Sequence, residues 1–177
     1  MLCELCDSSC ATCNNLTSCT TCISSQLTTI SGSGLCLCNS TQYWNNSDCE
    51  ACNYNCLTCV ASASTCTSCP TNSNRIYANG TCNCGVGYYD SGSVVCLSCI
   101  NTCFTCEYNI NCSSCDLSMN RKLQTGQCLC LIGYYNSDSS VVCLPCSYKC
   151  LSCNGPESCS SCNTTLSRSL NNLTGFC

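Results

Sequence analysis

The chain has 177 residues, five Lys and Arg, nine Asp and Glu, no His and a net charge of −4. So little positive charge excludes a phosphate-binding footprint, and with it nucleic acid as a partner. No His and few carboxylates argue against general acid–base catalysis, and no nucleophile or metalloprotease motif is present, so the chain reads as no enzyme. Hydrophobic residues make up 45%, but 31 residues are Cys. Without them roughly 27% of the chain is apolar, too little for one large core. Cysteine at this density marks a disulfide scaffold and an oxidising compartment, extracellular or at the cell surface.

The cysteines fall on one grid. Cys49, Cys52, Cys56, Cys59, Cys66, Cys69, Cys82 and Cys84 read C-x2-C-x3-C-x2-C-x6-C-x2-C-x12-C-x-C. Forty-six residues earlier the pattern is Cys3, Cys6, Cys10, Cys13, Cys19, Cys22, Cys36 and Cys38. Forty-seven later it is Cys96, Cys99, Cys103, Cys106, Cys112, Cys115, Cys128 and Cys130, and a fourth copy runs Cys143, Cys146, Cys150, Cys153, Cys159, Cys162, Cys177. A fixed period predicts a linear array of like units. The expected fold is small and disulfide-rich: an elongated array of about four ~47-residue repeats, with short β-hairpins, little helix and no large core. The repeats are 1–49 (its disulfide module 6–49), 50–96, 97–143 and a truncated 144–177.

In repeat 1 the crowded cysteines at the front predict tight turns. Residues 23–35 alternate loosely and end Gly-rich, which predicts a short hairpin before Cys36. Tyr43-Trp44 is followed by a turn at Asn45-Asn46-Ser47-Asp48. In repeat 2, Pro70 ends the preceding turn, and Asn79-Gly80 predicts a hairpin between Arg75 and Cys82. Gly87-Tyr88-Tyr89, a polar turn and Val94-Val95-Cys96 predict a second hairpin, the valines across from the tyrosines and the Tyr pair as core. Repeat 3 repeats both, through Arg121-Lys122-Leu123 with Gly126, and Gly133-Tyr134-Tyr135 with Val141-Val142. Repeat 4 offers Arg168-Ser169-Leu170 and no aromatic hairpin.

Thr or Ser precedes the second Cys of a C-x2-C at Thr12, Thr21, Thr58, Ser68, Thr105, Ser114, Ser152 and Ser161. A hydroxyl there is expected to bond nearby backbone in a tight turn; O-glycosylation is the sharper reading. Asn15, Asn39, Asn45, Asn79, Asn111, Asn163 and Asn172 open N-x-S/T sequons, so N-linked glycans are expected, with no other cofactor and no metal. Arg75, Arg121, Lys122, Lys149 and Arg168 are scattered. The near neighbours Glu4 and Asp7, and Asp48 and Glu50, read as solvated charges. No apolar run is long enough to cross a membrane, and no signal peptide precedes Cys3 and Cys6, so the chain is expected to be a mature product or an excised fragment.

The rhythm C-x3-C-x2-C-x5–6-C-x2-C…C-x-C…C, with Gly-Tyr-Tyr ahead of the last Cys, resembles furin-like repeats, the cysteine-rich domains of growth factor receptors and R-spondins. The polar, low-complexity dress resembles the large repeat surface proteins of ciliates and other protists. From sequence alone many connectivities stay open, although the two cysteines of a C-x-C sit at the far end of the allowed separation on a strand and are not expected to pair with each other. The resemblance implies first-to-third and second-to-fourth pairing followed by two hairpin bridges. That gives Cys6–Cys13, Cys10–Cys19, Cys22–Cys36 and Cys38–Cys49; Cys52–Cys59, Cys56–Cys66, Cys69–Cys82 and Cys84–Cys96; Cys99–Cys106, Cys103–Cys112, Cys115–Cys128 and Cys130–Cys143; and Cys146–Cys153, Cys150–Cys159 and Cys162–Cys177. Cys3 is left over. Its expected partner is in a preceding repeat, and Cys177 opens a C-x-C that would continue downstream, so the register is expected to run beyond both ends.

The function expected first is that of an extracellular structural glycoprotein, a stapled rod in a surface coat, stalk or filament, meeting neighbouring copies head to tail and other surface proteins. The alternative is a binding module of a receptor-like ectodomain or secreted ligand, for which Tyr43-Trp44 in repeat 1 and Phe104 with Arg121-Lys122 in repeat 3 are the candidates. A remote alternative is metal binding by the C-x2-C pairs.

Overall fold

The computed structural model describes residues 5–25, 27–29, 34–171, 174 and 176–177. The expectations on Cys3, Glu4 and Asn172 lie outside the described residues. Among the described residues, twenty short strands pair two by two into ten antiparallel sheets, and two single-turn 3-10 helices, Leu117–Met119 and Thr164–Leu166, are the only helical segments. The chain divides into two compact units, Met1–Gly85 with Ser91–Cys96, and Val86–Asp90 with Leu97–Cys177.

The crowded front of each repeat is a bulged hairpin rather than a run of turns. Cys10–Asn15 pairs with Ser18–Cys22, Thr58–Cys59 with Cys66–Ser68, Thr105–Tyr108 with Asn111–Ser114 and Cys150–Cys153 with Cys159–Cys162. A regular strand would send cysteines three residues apart to opposite faces. A bulge adds one residue and returns both to the same face. The register shifts between Cys10 and Thr12, and between Thr12 and Cys13, where that correction is needed.

The second hairpins follow the turn chemistry. Arg75–Ala78 pairs with Thr81–Cys84 through Asn79 and Gly80, both at positive φ (50° and 78°), as a type I′ turn demands. Arg121–Gln124 pairs with Gln127–Cys130 through Thr125 (47°) and Gly126 (75°). In repeat 1 the hairpin expected within residues 23–35 is a two-residue pair, Thr28–Thr29 with Cys36–Leu37; residues 30–33 lie outside the described set. Gln42–Trp44 pairs with Cys49–Ala51 around the expected turn, where Asn45 Oδ1 accepts from the amides of Ser47 and Asp48.

The tyrosine hairpins differ from expectation. Tyr88 lies opposite Ser98 and Tyr89 opposite Leu97; Tyr134 lies opposite Pro145 and Tyr135 opposite Leu144. The valines are not the cross-strand partners. Each hairpin is anchored past its closing cysteine, by the Cys99 amide to Gly87 O and the Cys146 amide to Gly133 O, both 2.8 Å, so the register runs three residues further along. Nor are the tyrosines the core. Among the described residues the buried hydrophobic side chains are half-cystines, with Leu27 the one exception. Four small clusters form around them, one per repeat, and Tyr43 and Tyr135 only lean on two of these. Paired sulfurs fill the interior, and the rings pack against it from outside.

Candidate functional site

Fifteen disulfides join thirty cysteines in one repeated order: 6–13, 10–19, 22–36 and 38–49 in the first repeat, then 52–59, 56–66, 69–82 and 84–96, 99–106, 103–112, 115–128 and 130–143, and 146–153, 150–159 and 162–177. These are the same pairs that the resemblance to furin-like repeats implies. Cα separations of 5.1 Å to 5.9 Å suit a disulfide without backbone movement. With their sulfurs bonded to one another, these cysteines have no thiolate to offer a metal. Among the described residues no three His, Cys, Asp or Glu side chains gather as a metal site.

The arginines are not scattered. Arg75, Arg121 and Arg168 stand 46 and 47 residues apart, on the cysteine period. Arg75 is 9% exposed. Its Nε donates to Val94 O (2.8 Å), Nη1 to Cys82 O (3.0 Å) and Nη2 to Ser93 O (2.8 Å). Arg121, 3% exposed, donates from Nε to Val141 O (2.8 Å), from Nη1 to Cys128 O (3.0 Å) and from Nη2 to Asn136 Oδ1 (2.8 Å). Burial pushes its guanidinium below the ordinary arginine value. Each fork therefore clasps the loop before the closing cysteine onto the preceding hairpin. The residue before each arginine, Asn74 and Asn120, takes a left-handed conformation and donates from Nδ2 to the carbonyl of Cys96 or Cys143, at 3.2 Å. Arg168 keeps one such bond, Nη1 to Cys177 O at 3.1 Å, while its buried Nε has no partner. Arg121 is thus no part of an exposed aromatic–arginine patch with Phe104. The period of the arginines was the signal that could have shown this.

The recurring hydroxyls bond each other rather than nearby backbone. Thr12 meets Thr21 (2.5 Å), Thr58 meets Ser68 (2.5 Å), Thr105 meets Ser114 (2.5 Å) and Ser152 meets Ser161 (2.6 Å). Each pair sits opposite in the front hairpin of its repeat. The register that brings the cysteines inward thereby aligns the hydroxyls beside them.

A groove of about 490 Å³ in the first unit is lined by Leu37, Asn39, Tyr43, Trp44, Val60 and Thr67 among others. Tyr43 donates its hydroxyl to Glu50 Oε2 (2.6 Å), and that bond raises the phenol above its ordinary pKa. Glu50 Oε1 accepts from Asn45 Nδ2 at 2.6 Å, so this carboxylate is a clamp across the hairpin rather than a free surface charge. Asp7 and Asp116 likewise close turns, each accepting from the backbone amide (2.9 Å) and hydroxyl (2.6 Å) of the serine two residues on, Ser9 or Ser118, and each carboxyl is held below its ordinary value by these bonds. Trp44 packs against the half-cystines of repeat 1, and its Nε1 is buried without a partner.

Of the sequon asparagines, Asn15, Asn39 and Asn79 are exposed, while Asn45, Asn111 and Asn163 are half-buried. Asn45 and Asn111 donate from Nδ2 to Glu50 and Glu107, and Asn163 caps the second 3-10 helix. No family model matches the chain, and no curated protein and no solved structure is significantly similar to it.

Proposed function

We propose that this chain is an extracellular structural glycoprotein of the furin-like, cysteine-rich type, forming part of a surface coat, stalk or filament. The observation that carries this reading is the repetition of the same bridge set, arginine clasp and hydroxyl pair from one unit to the next. Repeats built alike and held by covalent staples suit covering and spacing, where persistence matters more than a specialised site. Bridges at this density point to an oxidising, extracellular setting. The carboxylates Asp7, Glu50 and Asp116 act as turn locks, which supports a non-catalytic role.

Intact mass of the alkylated protein with and without reduction, followed by non-reducing peptide mapping, tests this. The expected result is fifteen intrachain bridges with added sugar mass on sequon peptides. Many free thiols, with metal released by a chelator, would replace the reading with the metal-binding one.

A further inference from the structure

We infer that the N-linked glycan of Asn39 lies back on the protein, its first N-acetylglucosamine seated in the groove beside Tyr43 and Trp44. This rests on the glycoprotein reading above. Asn39 opens Asn39-Ser40-Thr41 and is itself a wall of the groove. The Gln42 amide donates to Asn39 O (2.8 Å), a turn that brings the sequon back over the strand Gln42–Trp44. The bridge from Cys38 to Cys49, opposite Trp44, pins that turn to the neighbouring strand. Attachment point and aromatic side chains therefore belong to one stapled hairpin.

The chemistry matches. A pyranose ring presents polarised C–H groups on one face and hydroxyls around its edge. The C–H face suits the negative face of an aromatic ring, and the edge suits amides and hydroxyls. The groove offers Tyr43 and Trp44, with amide and hydroxyl groups from Gln42, Thr58 and Thr67. Leu37 and Val60, 45% and 53% exposed, are apolar surface that the N-acetyl methyl would cover. A sugar joined covalently at the rim loses little freedom on settling, because attachment has already removed most of it. Asn79, by contrast, stands at the exposed tip of a type I′ turn.

Trp44 is the only Trp in the chain, so its fluorescence reports this groove alone. The test uses the full chain secreted from a glycosylating eukaryotic host. Site occupancy is read by mass after enzymatic deglycosylation in heavy-oxygen water, and Trp44 accessibility by acrylamide quenching. Asn39→Gln and Thr41→Ala both remove the sequon, the second keeping the asparagine. Each is expected to raise the quenching constant roughly twofold, since one covered ring face is uncovered, while Asn79→Gln leaves it unchanged. Sugar on other sequons but none on Asn39 overturns the inference alone, as does sugar on Asn39 whose loss leaves quenching at the Asn79→Gln level. Sugar on no sequon overturns the glycoprotein reading and takes this inference with it.

Discussion

The first two repeats carry the same four bridges and the same register in the hairpin around the closing cysteine, yet fill the space between the bridges by opposite means. In repeat 1, Leu27 lies nine residues before Cys36, is 5% exposed and packs in the cluster that includes Trp44 and eight partly or fully buried half-cystines. In repeat 2 the position nine before Cys82 is Ser73, buried and donating to Pro70 O at 2.5 Å, and the loop is held by the three-pronged Arg75 clasp. The register of that last hairpin does not depend on which device is used: Gln42 lies opposite Ala51 as Tyr88 lies opposite Ser98, two residues past the closing cysteine in both. The bridges set the path of the chain. The residue between them decides whether the loop is held by an apolar plug, which has no direction, or by hydrogen bonds that select particular carbonyls.

Removing the clasp is expected to have the largest effect. Arg75→Ala leaves three carbonyls without their donor and should cost about 3 kcal/mol locally. The Cys96 amide, bonded to Ser73 O (2.9 Å), should then exchange with solvent on the order of 100-fold faster, with repeat 1 unchanged. Arg75→Lys should recover little of this, because one ammonium cannot reproduce the planar fork. Full protection in Arg75→Ala would show that the bridges alone hold the loop.

Leu27→Ala tests the other device. It removes the one buried apolar side chain besides cysteine among the described residues, at about 2–3 kcal/mol. Exchange at the Leu27 amide, bonded to Ser24 O (3.1 Å), should rise while the Cys96 amide stays protected. Coupled loss in both repeats would contradict independent tethering.

A third change makes one repeat resemble another. Tyr54 covers the Arg75 guanidinium at 5.3 Å, and Tyr148 covers Arg168 at 5.6 Å. The matching residue in repeat 3 is Asn101, which lines a cavity of about 420 Å³ together with Arg121. Asn101→Tyr should add a cation–π contact of about 0.5–1 kcal/mol, and Tyr54→Ala should remove one of similar size. Slower exchange at the Leu131 amide in the first variant, and faster exchange at Gly85 in the second, would establish the exchangeability of the two sites.

The cysteine grid makes the repeat legible, because spacing alone carries it, and short turn signals make the hairpins behind the front one legible. Asn79-Gly80 announced its turn for the same local reason. The front hairpins were hidden, since cysteines three apart fit a strand only with a bulge, and a bulge has no residue signature of its own here. Alternation misplaces the valines because it cannot reveal that the carbonyls of Ser93 and Val94 already serve an arginine 18 or 19 residues away. The arginines lay on the period all along, but a search for charge reads them as isolated surface groups. Their role depends on a buried backbone acceptor, which no side-chain pattern displays. Tyr43-Trp44 stands out in the sequence as an aromatic pair. That Asn39 shares its groove became visible only through the turn that folds the sequon over the strand.

The smallest expected difference between the first two repeats is in their response to acid. Asp7 closes the first turn by accepting from the Ser9 amide and hydroxyl, and its carboxyl is held below the ordinary range by those bonds. In repeat 2 the same position is Asn53, whose Oδ1 accepts from the Tyr54 amide at 2.8 Å and does not titrate. A carboxyl depressed in the folded state contributes stability that is complete above its unfolded pKa and is lost as pH falls through the folded one. Between roughly pH 6 and pH 2, protection of the Cys10 amide, bonded to Asp7 O (2.9 Å), should therefore decline. The Cys56 amide, bonded to Asn53 O (2.9 Å), should hold constant once the ordinary pH dependence of exchange is divided out. Asp7→Asn should flatten the first profile onto the second. Equal loss in both repeats would place the acid-sensitive group elsewhere and leave the Asp7 turn a passive one.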